Sequence, residues 1–169
     1  MTTAVQKSAR SRAITAPKNI LVPIDFSVAS KNAFRHALSL SGGDSRIILL
    51  HVISPSAEDR RDISSLIDAA KKSLHSFGKS YELPRDRAVR SLVRTGTPFH
   101  EILATAKENK VELIVLAVHD LAPFGGLALG HTVDRVSRYA PCPVMLVRED
   151  GRDRAQTKSS AANISSSRA

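Results

Sequence analysis

Five short aliphatic runs, separated by segments of helical period, constrain the fold of this chain more than any other feature. The runs cover residues 20–24, 47–53, 89–93, 113–118 and 144–147. Each is apolar enough for a strand that is covered on both faces, as strands of parallel sheets are. Strands that alternate with helices form βαβ units. The sequence therefore predicts an α/β fold on a five-stranded parallel sheet.

Four helices are predicted from apolar residues that recur every three or four positions and so share one helix face. Ser27, Thr97 and Gly130 are the predicted helix starts, with Pro98 at a first helical position. The predicted inner faces are Ala33, Phe34, Ala37 and Leu38 in the first helix, Ile63, Leu66, Ile67, Ala70, Leu74 and Phe77 in the second, Phe99, Ile102, Leu103 and Ala106 in the third, and Val133, Val136 and Tyr139 in the fourth.

Length and charge predict one folded domain between two tails. A chain of 169 residues is long enough for one domain of ordinary size. Residues 1–17 are basic and residues 150–169 are rich in Ser and Ala, so we expect two disordered tails around a domain at 18–149. The net charge of +9 owes much to the first tail. Nucleic-acid binding is not expected, because the domain shows neither a clustered basic face nor stacking aromatics. Binding through the 1–17 arm is the alternative.

The single cysteine and the lack of long apolar runs predict a cytoplasmic protein without a membrane contact. One cysteine, Cys142, excludes an internal disulfide and suits a reducing compartment. It lies between Pro141 and Pro143 at the entry to an apolar strand, which favours a buried, inert thiol over a nucleophile. No run of 18 apolar residues and no secretory signal is visible.

Residues that directly follow the strands are the candidates for binding, because ligands of open α/β sheets lie beyond the carboxyl ends of the strands. Asp25 could meet a ribose hydroxyl or a metal, or it could bond the amides of the next turn. Gly130 could let helix amides approach an anion, or serve only the turn. His119, Asp120 and His131 match no metal motif, and surface histidines are the favoured interpretation.

Catalytic signatures are missing from the sequence. There is neither a G-x-G-x-x-G after the first strand nor a G-x-x-x-x-G-K-[ST] anywhere, which excludes the common dinucleotide and P-loop sites. No nucleophile with an adjacent base stands out. A hydrolase or transferase that uses Asp25, His119 or Asp120 is the weaker alternative, and we expect no catalytic and no metal-binding residues.

Several motifs, in order, resemble the universal stress protein family. They are residues 18–27 (KNILVPIDFS), 49–52 (LLHV), 95–98 (TGTP) with Glu101 and Ile102, 113–116 (LIVL), 130–136 (GHTVDRV) and 140–144 (APCPV). The likeness extends over residues 17–148. It implies a parallel sheet of order 3-2-1-4-5 with helices on both faces, similar to the adenine nucleotide alpha hydrolases.

The resemblance also implies a nucleotide site, which this sequence alters. Family members that bind nucleotide meet adenine and ribose with residues matching Pro23, Asp25 and Val52. They hold the phosphates on a motif G-x2-G-x9-G-[ST]. Here the frame reads Ala117-x2-Asp120-x9-Gly130-His131, followed by Thr132. If the carboxylate of Asp120 lay about 4 Å from a bound phosphate, their repulsion would weaken binding by on the order of several kcal/mol unless a metal ion lay between them.

The function expected from this resemblance is a non-catalytic, dimeric stress-response module without an obligate nucleotide or other cofactor. The alternative is an ATP-binding member that acts as a nucleotide-dependent switch. The phosphates could then be held by Gly125 and Gly126, by the Gly130 amide, by Thr132 or by a divalent ion on Asp120. The predicted homodimer joins through the last strand, at Val144, Met145, Leu146 and Val147.

Overall fold

A computed structural model of the protein describes residues 15–56, 62–81, 88–118 and 130–148. Strands and helices alternate along these residues, as the aliphatic runs predict. The strands are β1 (Asn19–Pro23), β2 (Arg46–Ile53), β3 (Ala88–Thr95), β4 (Leu113–Val118) and β5 (Val144–Arg148). The helices are α1 (Val28–Leu40), α2 (Ile63–Lys79), α3 (Pro98–Glu108) and α4 (His131–Tyr139). Each strand lies within two residues of its predicted run.

The five strands form one parallel sheet in the order β3-β2-β1-β4-β5, which confirms the order implied by the family resemblance. The central strand β1 pairs with β2 through Pro23 and Leu50 and with β4 through Leu21 and Ile114. The chain passes outward in one direction from β1 to β3 and then returns to the other side at β4. A topological switch point therefore lies between β1 and β4, where α/β proteins place their ligands.

Alternate strand residues feed two separate cores, one on each face of the sheet. Ile20, Val22 and Leu49 pack with α1 and α2, whose main contributions are Phe34 and Leu74. The intervening strand residues pack with α3 and α4. They include Leu21, Ile48, Leu50, Ile114 and Leu116. This period of two explains why the three central strands are almost continuously apolar.

The burial predictions are wrong for the edge strands β3 and β5, for Leu66 and for Tyr139: in β5 only Val147 is buried, and Leu66, assigned to the inner face of the second helix, is exposed. None of the residues of β3, all of which the structure describes, is buried, although this run was expected to be covered on both faces. It is an edge strand, with β2 as its one neighbour in the sheet. Tyr139 was assigned to the inner face of the last helix but is 66% exposed, because α4 ends there. The rest of that predicted face, Val133 and Val136, is buried.

The three predicted helix starts are confirmed as N-caps. Ser27 caps α1 with its side chain, since its Oγ accepts a hydrogen bond from the Ser30 amide at 3.1 Å. Thr97 and Gly130 cap α3 and α4 without a side-chain bond. Among the described residues, no helix has the length and apolarity needed to cross a membrane.

Candidate functional site

A cleft of about 350 Å³ opens at the carboxyl ends of β1, β2 and β4, where the starts of α3 and α4 face them. Its size is in the range of small-molecule sites. The described residues that line it include all six predicted site residues, Pro23, Asp25, Val52, Gly130, His131 and Thr132. The other described lining residues are Ile24, Leu50, His51, Pro98, Ile102, Leu116, Ala117 and Val133.

The floor of the cleft is apolar because it continues the core between the sheet and the helices α3 and α4. Leu50 and Leu116 come from β2 and β4, on either side of β1, and Ile102 and Val133 come from α3 and α4. All four side chains are buried. The face of an aromatic ring in a ligand would therefore displace water from this floor.

Asp25 serves the turn after β1 and also lines the cleft. Its Oδ1 accepts hydrogen bonds from the Ser27 amide at 3.0 Å and from the Ser27 hydroxyl at 2.5 Å. The backbone interpretation of Asp25 is therefore confirmed, and the ligand interpretation stays a prediction. The turn places Phe26 at φ 65°, in the left-handed region, where its ring lies 4.7 Å from His51 and 6.2 Å from Phe77. These contacts offset the backbone strain at Phe26.

His51 belongs to the cleft lining, although no role was assigned to it from the sequence. Its Nδ1 lies 2.7 Å from the Ile24 carbonyl oxygen. A carbonyl can only accept, so Nδ1 carries the proton and donates it. His51 thereby links the end of β2 to the residue after β1. The sequence contains one indication that His51 lies in the cleft: it directly precedes Val52, a predicted site residue near the end of β2.

The start of α4 presents backbone amides to the cleft. Gly130 is the N-cap, with φ −58° and ψ 152°, a conformation open to any residue. The alternative that this glycine is needed for the turn conformation is therefore not supported. Without a Cβ it leaves the first amides of α4 accessible, and the first amides of a helix lack intrahelical partners. His131 and Thr132 follow directly.

Charge is sparse in the cleft. Among the lining residues that the structure describes, Asp25 is the only acidic side chain, and Lys and Arg are absent. His51 and His131 are the other titratable groups. Ala117, at the first position of the altered glycine frame, lines the cleft at the end of β4. His119, Asp120, Gly125 and Gly126 lie outside the described residues, so the carboxylate repulsion and the metal alternative stay predictions.

Cys142 lies apart from the cleft and is partly buried. Burial raises the pKa of its thiol, and a hydrogen bond with the backbone of Ile114 opposes that shift to a smaller extent. A raised thiol pKa keeps the sulfur protonated at neutral pH and makes it a poor nucleophile. The interpretation of an inert thiol agrees with this, although the side chain is less buried than expected.

A parallel sheet of this order, with helices on both faces and a cleft at its switch point, defines the class of adenine nucleotide alpha hydrolase-like folds. A model of the Universal stress protein family matches residues 17–148. The chain belongs to the universal stress protein family.

Individual relatives agree with this membership. A universal stress protein of Thermus aquaticus is 31% identical over 139 residues, which cover 78% of this chain and 98% of the relative. The solved structure of a Methanocaldococcus jannaschii protein is 26% identical, with a TM-score of 0.68, covering 81% of this chain and 99% of that one. A universal stress protein solved in complex with cAMP has the same fold. It is 22% identical, with a TM-score of 0.56, and covers 80% of this chain and 100% of its own.

Proposed function

We propose that this protein is a non-catalytic regulatory module that works as a homodimer and has no obligate nucleotide. Its cleft would take an adenine nucleotide of low charge reversibly. The observation that supports this best is the character of the cleft: an apolar floor with one carboxylate and, among the described residues, no Lys or Arg. Sites that retain a triphosphate usually supply lysine, arginine or a metal ion to balance its charge.

Asp25 and His51, two of the three titratable groups among the described lining residues, are engaged with the turn after β1. Asp25 directs Oδ1 at Ser27, and His51 directs Nδ1 at the Ile24 carbonyl. A general base must lie within hydrogen-bond reach of the proton that it removes and must hold a nucleophile in place. Both groups instead fix the turn after β1. This arrangement favours binding over hydrolysis.

The second candidate is a nucleotide-dependent switch that retains ATP. It is favoured by the convergence of the six predicted ligand residues on one cleft. The related protein solved with cAMP has this fold, which makes an adenine nucleotide the natural probe. The two candidates differ in whether nucleotide stays bound through purification.

The nucleotide test uses the full chain purified without added ligand. We expect mass analysis of the denatured protein to find nucleotide well below one molecule per chain. Mg-ATP should raise the Tm less than AMP does at equal concentration, because ligand stabilisation follows the ratio of concentration to Kd. Stoichiometric copurified ATP, or a larger shift with Mg-ATP, would favour the switch instead.

The dimer is proposed through β5, the edge strand next to β4. Only one side of β5 pairs within the described sheet, and an unpaired strand edge offers N–H and C=O groups to another chain. Met145 and Leu146 are each 37% exposed, on opposite faces of the strand. Two copies that pair β5 about a twofold axis would place both side chains beside cross-strand neighbours of the other copy.

Leu146→Arg is expected to convert a dimeric wild type into a monomer at micromolar concentration, since it places a charge at the centre of the proposed interface. Light scattering after size-exclusion chromatography measures this. The matched control is Ser91→Arg, at an exposed position on the opposite edge strand β3, which should stay dimeric. A monomeric wild type, or equal masses for both variants, would contradict the proposed interface.

A further inference from the structure

The outer surface of the helices α1 and α2 is cationic, whereas that of α3 and α4 is balanced in charge. Both α1 and α2 cover the same side of the sheet. They carry one acid, Asp68, and five cationic side chains, all exposed: Lys31, Arg35, Lys71, Lys72 and Lys79. On the other side of the sheet, α3 and α4 carry three cations and three carboxylates. The five cations of α1 and α2 define a basic face on one side of the protein.

Packing between α1 and α2 brings the cations of the basic face together. The ring of Phe34 on α1 lies 5.8 Å from that of Phe77 on α2 and 4.8 Å from that of Tyr81. Burial raises the pKa of the Tyr81 phenol, and the nearby Arg35 guanidinium opposes that shift. Arg35 therefore lies near the end of α2, where Lys79 occupies the last turn. The sequence does not show this cluster, because the cations of the two helices are far apart along the chain.

Few acidic groups neutralise the basic face. Asp68 pairs with Lys71, with 3.4 Å between Oδ1 and Nζ. Within the described parts of the chain, the other four cations of the face make no ion pair. Asp44 follows the end of α1, and Asp62 precedes the start of α2, so both lie beyond the helices themselves. A polyanion that approaches the middle of the face would therefore meet one carboxylate and five cations.

The basic amino-terminal arm begins beside the end of α1. The Pro17 carbonyl accepts a hydrogen bond from Ser45 Oγ at 2.6 Å. A Cβ on Gly42 would lie 3.1 Å from Ala16 Cβ. Gly42 and Ser45 belong to the turn between α1 and β2. Arg12 is four residues before Ala16, so at most about 14 Å of extended chain separates them. The first cations of the arm are thus held close to one end of the basic face.

We propose that the basic face, together with the arm, binds the phosphate backbone of a nucleic acid duplex without reading its sequence. Proteins neutralise the closely spaced phosphates of a duplex with Lys and Arg, and such contacts carry no sequence information. Recognition of single strands relies on stacking aromatic rings, and no Phe, Tyr or Trp in the described parts of α1 and α2 is exposed. The basic face lies across the sheet from α3 and α4, so the proposal is independent of nucleotide binding in the cleft.

An anionic membrane fits the basic face less well than a duplex does. Proteins that lie on membranes combine cations with large apolar side chains that enter the lipid. On the described parts of α1 and α2, the exposed large apolar residues are Leu40 and Leu66, each 37% exposed. Leu40 is at the end of α1 and Leu66 is in the first part of α2, so they do not form one apolar anchor.

The test measures binding of the full chain to a fluorescein-labelled DNA duplex by anisotropy over a series of salt concentrations. Each phosphate contact contributes about −0.9 to the slope of log K against log salt concentration. We expect a wild-type slope of about −4 or steeper, equal for two duplexes of unrelated sequence. The triple variant Lys31→Gln, Lys72→Gln and Lys79→Gln should make the slope shallower by about 2–3.

The matched control removes the same charge from the other side of the sheet, through Arg90→Gln, Lys107→Gln and Arg138→Gln, all at exposed positions. Arg90 is in register with Ile48, whose side chain packs with α3 and α4. This control should change the slope by less than about 1, because its residues do not contact the duplex. Equal changes in the two triple variants would overturn the proposal, since net charge alone would then explain the binding.

A third variant, Lys7→Gln with Arg10→Gln and Arg12→Gln, separates the arm from the basic face. We expect it to weaken duplex binding while leaving a salt-dependent part that the variant of the basic face reduces further. If the arm variant abolishes binding and the variant of the basic face binds like wild type, the arm acts alone and the proposal is wrong. A wild type with no salt-dependent duplex binding, or with tighter binding to phosphatidylserine vesicles than to the duplex at equal salt, would also overturn it.

Discussion

Phe34→Ala should lower the free energy of unfolding by about 3–5 kcal/mol, the usual loss when a buried phenylalanine is truncated. Phe34 is fully buried on α1, in the core between the sheet and the helices α1 and α2. Its ring lies 5.8 Å from that of Phe77 and 4.8 Å from that of Tyr81. Truncation would remove the transfer free energy of the ring and leave a cavity between these groups. Urea unfolding followed by circular dichroism at one fixed protein concentration measures the loss.

The matched control is Tyr139→Ala, which removes a ring of similar size from a position that is 66% exposed. Exposed substitutions away from caps and ion pairs change stability by about 0.5 kcal/mol or less. A loss for Phe34→Ala as small as that of an exposed substitution would contradict the burial of Phe34, whereas a loss of about 3–5 kcal/mol in both variants would not. It would instead point to a tertiary or dimer contact that covers Tyr139.

The aromatic residues around Phe34 matter for the site as well as for stability. Phe77 lies 6.2 Å from Phe26, and Phe26 lies 4.7 Å from His51, so one series of rings runs from the core to the edge of the cleft. Phe26 follows Asp25 directly and holds a strained backbone conformation. Packing in the core therefore fixes the turn that presents the carboxylate of Asp25.

Strand positions could be predicted because three of the five strands are covered on both faces, which leaves long aliphatic runs. The order of the strands could not be obtained from periodicity, since any α/β order gives the same alternation. It came from the family resemblance. In that order the first and fourth strands flank the switch point, and the sheet confirms this.

The errors fall where burial depends on neighbours that are distant in sequence. The run in β3 carries Arg90 and Ser91 between its apolar residues, so it is less apolar than the inner strands, and no strand pairs with its outer side in the described sheet. Tyr139 continues the spacing of Val133 and Val136, but α4 ends at that residue. Periodicity defines a face and does not say how far the partner surface extends.

In the site, too, residues next to a predicted element could be identified from the sequence, whereas contacts between residues distant in sequence could not. Asp25 and Gly130 could be found because they directly follow or precede an element that the sequence predicts. His51 could not be given a role, because its partner is the carbonyl of Ile24, 27 residues away on the chain. The contact between Phe99 and His131 could not be predicted, because the two rings meet only once α3 and α4 pack side by side.

The turn between β3 and α3 positions part of the cleft lining and requires an unusual backbone conformation at Gly96. Gly96 has φ 148°, which side chains rarely permit, and a Cβ there would lie 2.9 Å from Glu101 Oε1. Its amide donates to the Ile53 carbonyl at 2.9 Å, and its carbonyl accepts from Ser54 Oγ at 3.1 Å. These bonds tie the turn to the end of β2 and so fix the start of α3, where Pro98 lines the cleft.

Gly96→Ala should destabilise the protein by about 1–3 kcal/mol, the range for a residue forced into a sparsely populated conformation. Gly78→Ala is the matched control, because Gly78 lies within α2 and its added Cβ would make an ordinary contact at 3.7 Å with Leu49. That variant should gain about 0.5–1 kcal/mol. Glu101→Ala removes the crowding atoms, so Gly96→Ala made in that background separates contact from backbone strain. We expect most of the stability loss from Gly96→Ala to remain in that background, because the flexible Glu101 side chain can move away and the backbone cannot. If Gly96→Ala becomes neutral there, the contact with Glu101, and not the positive φ, is the reason that glycine is needed at this position.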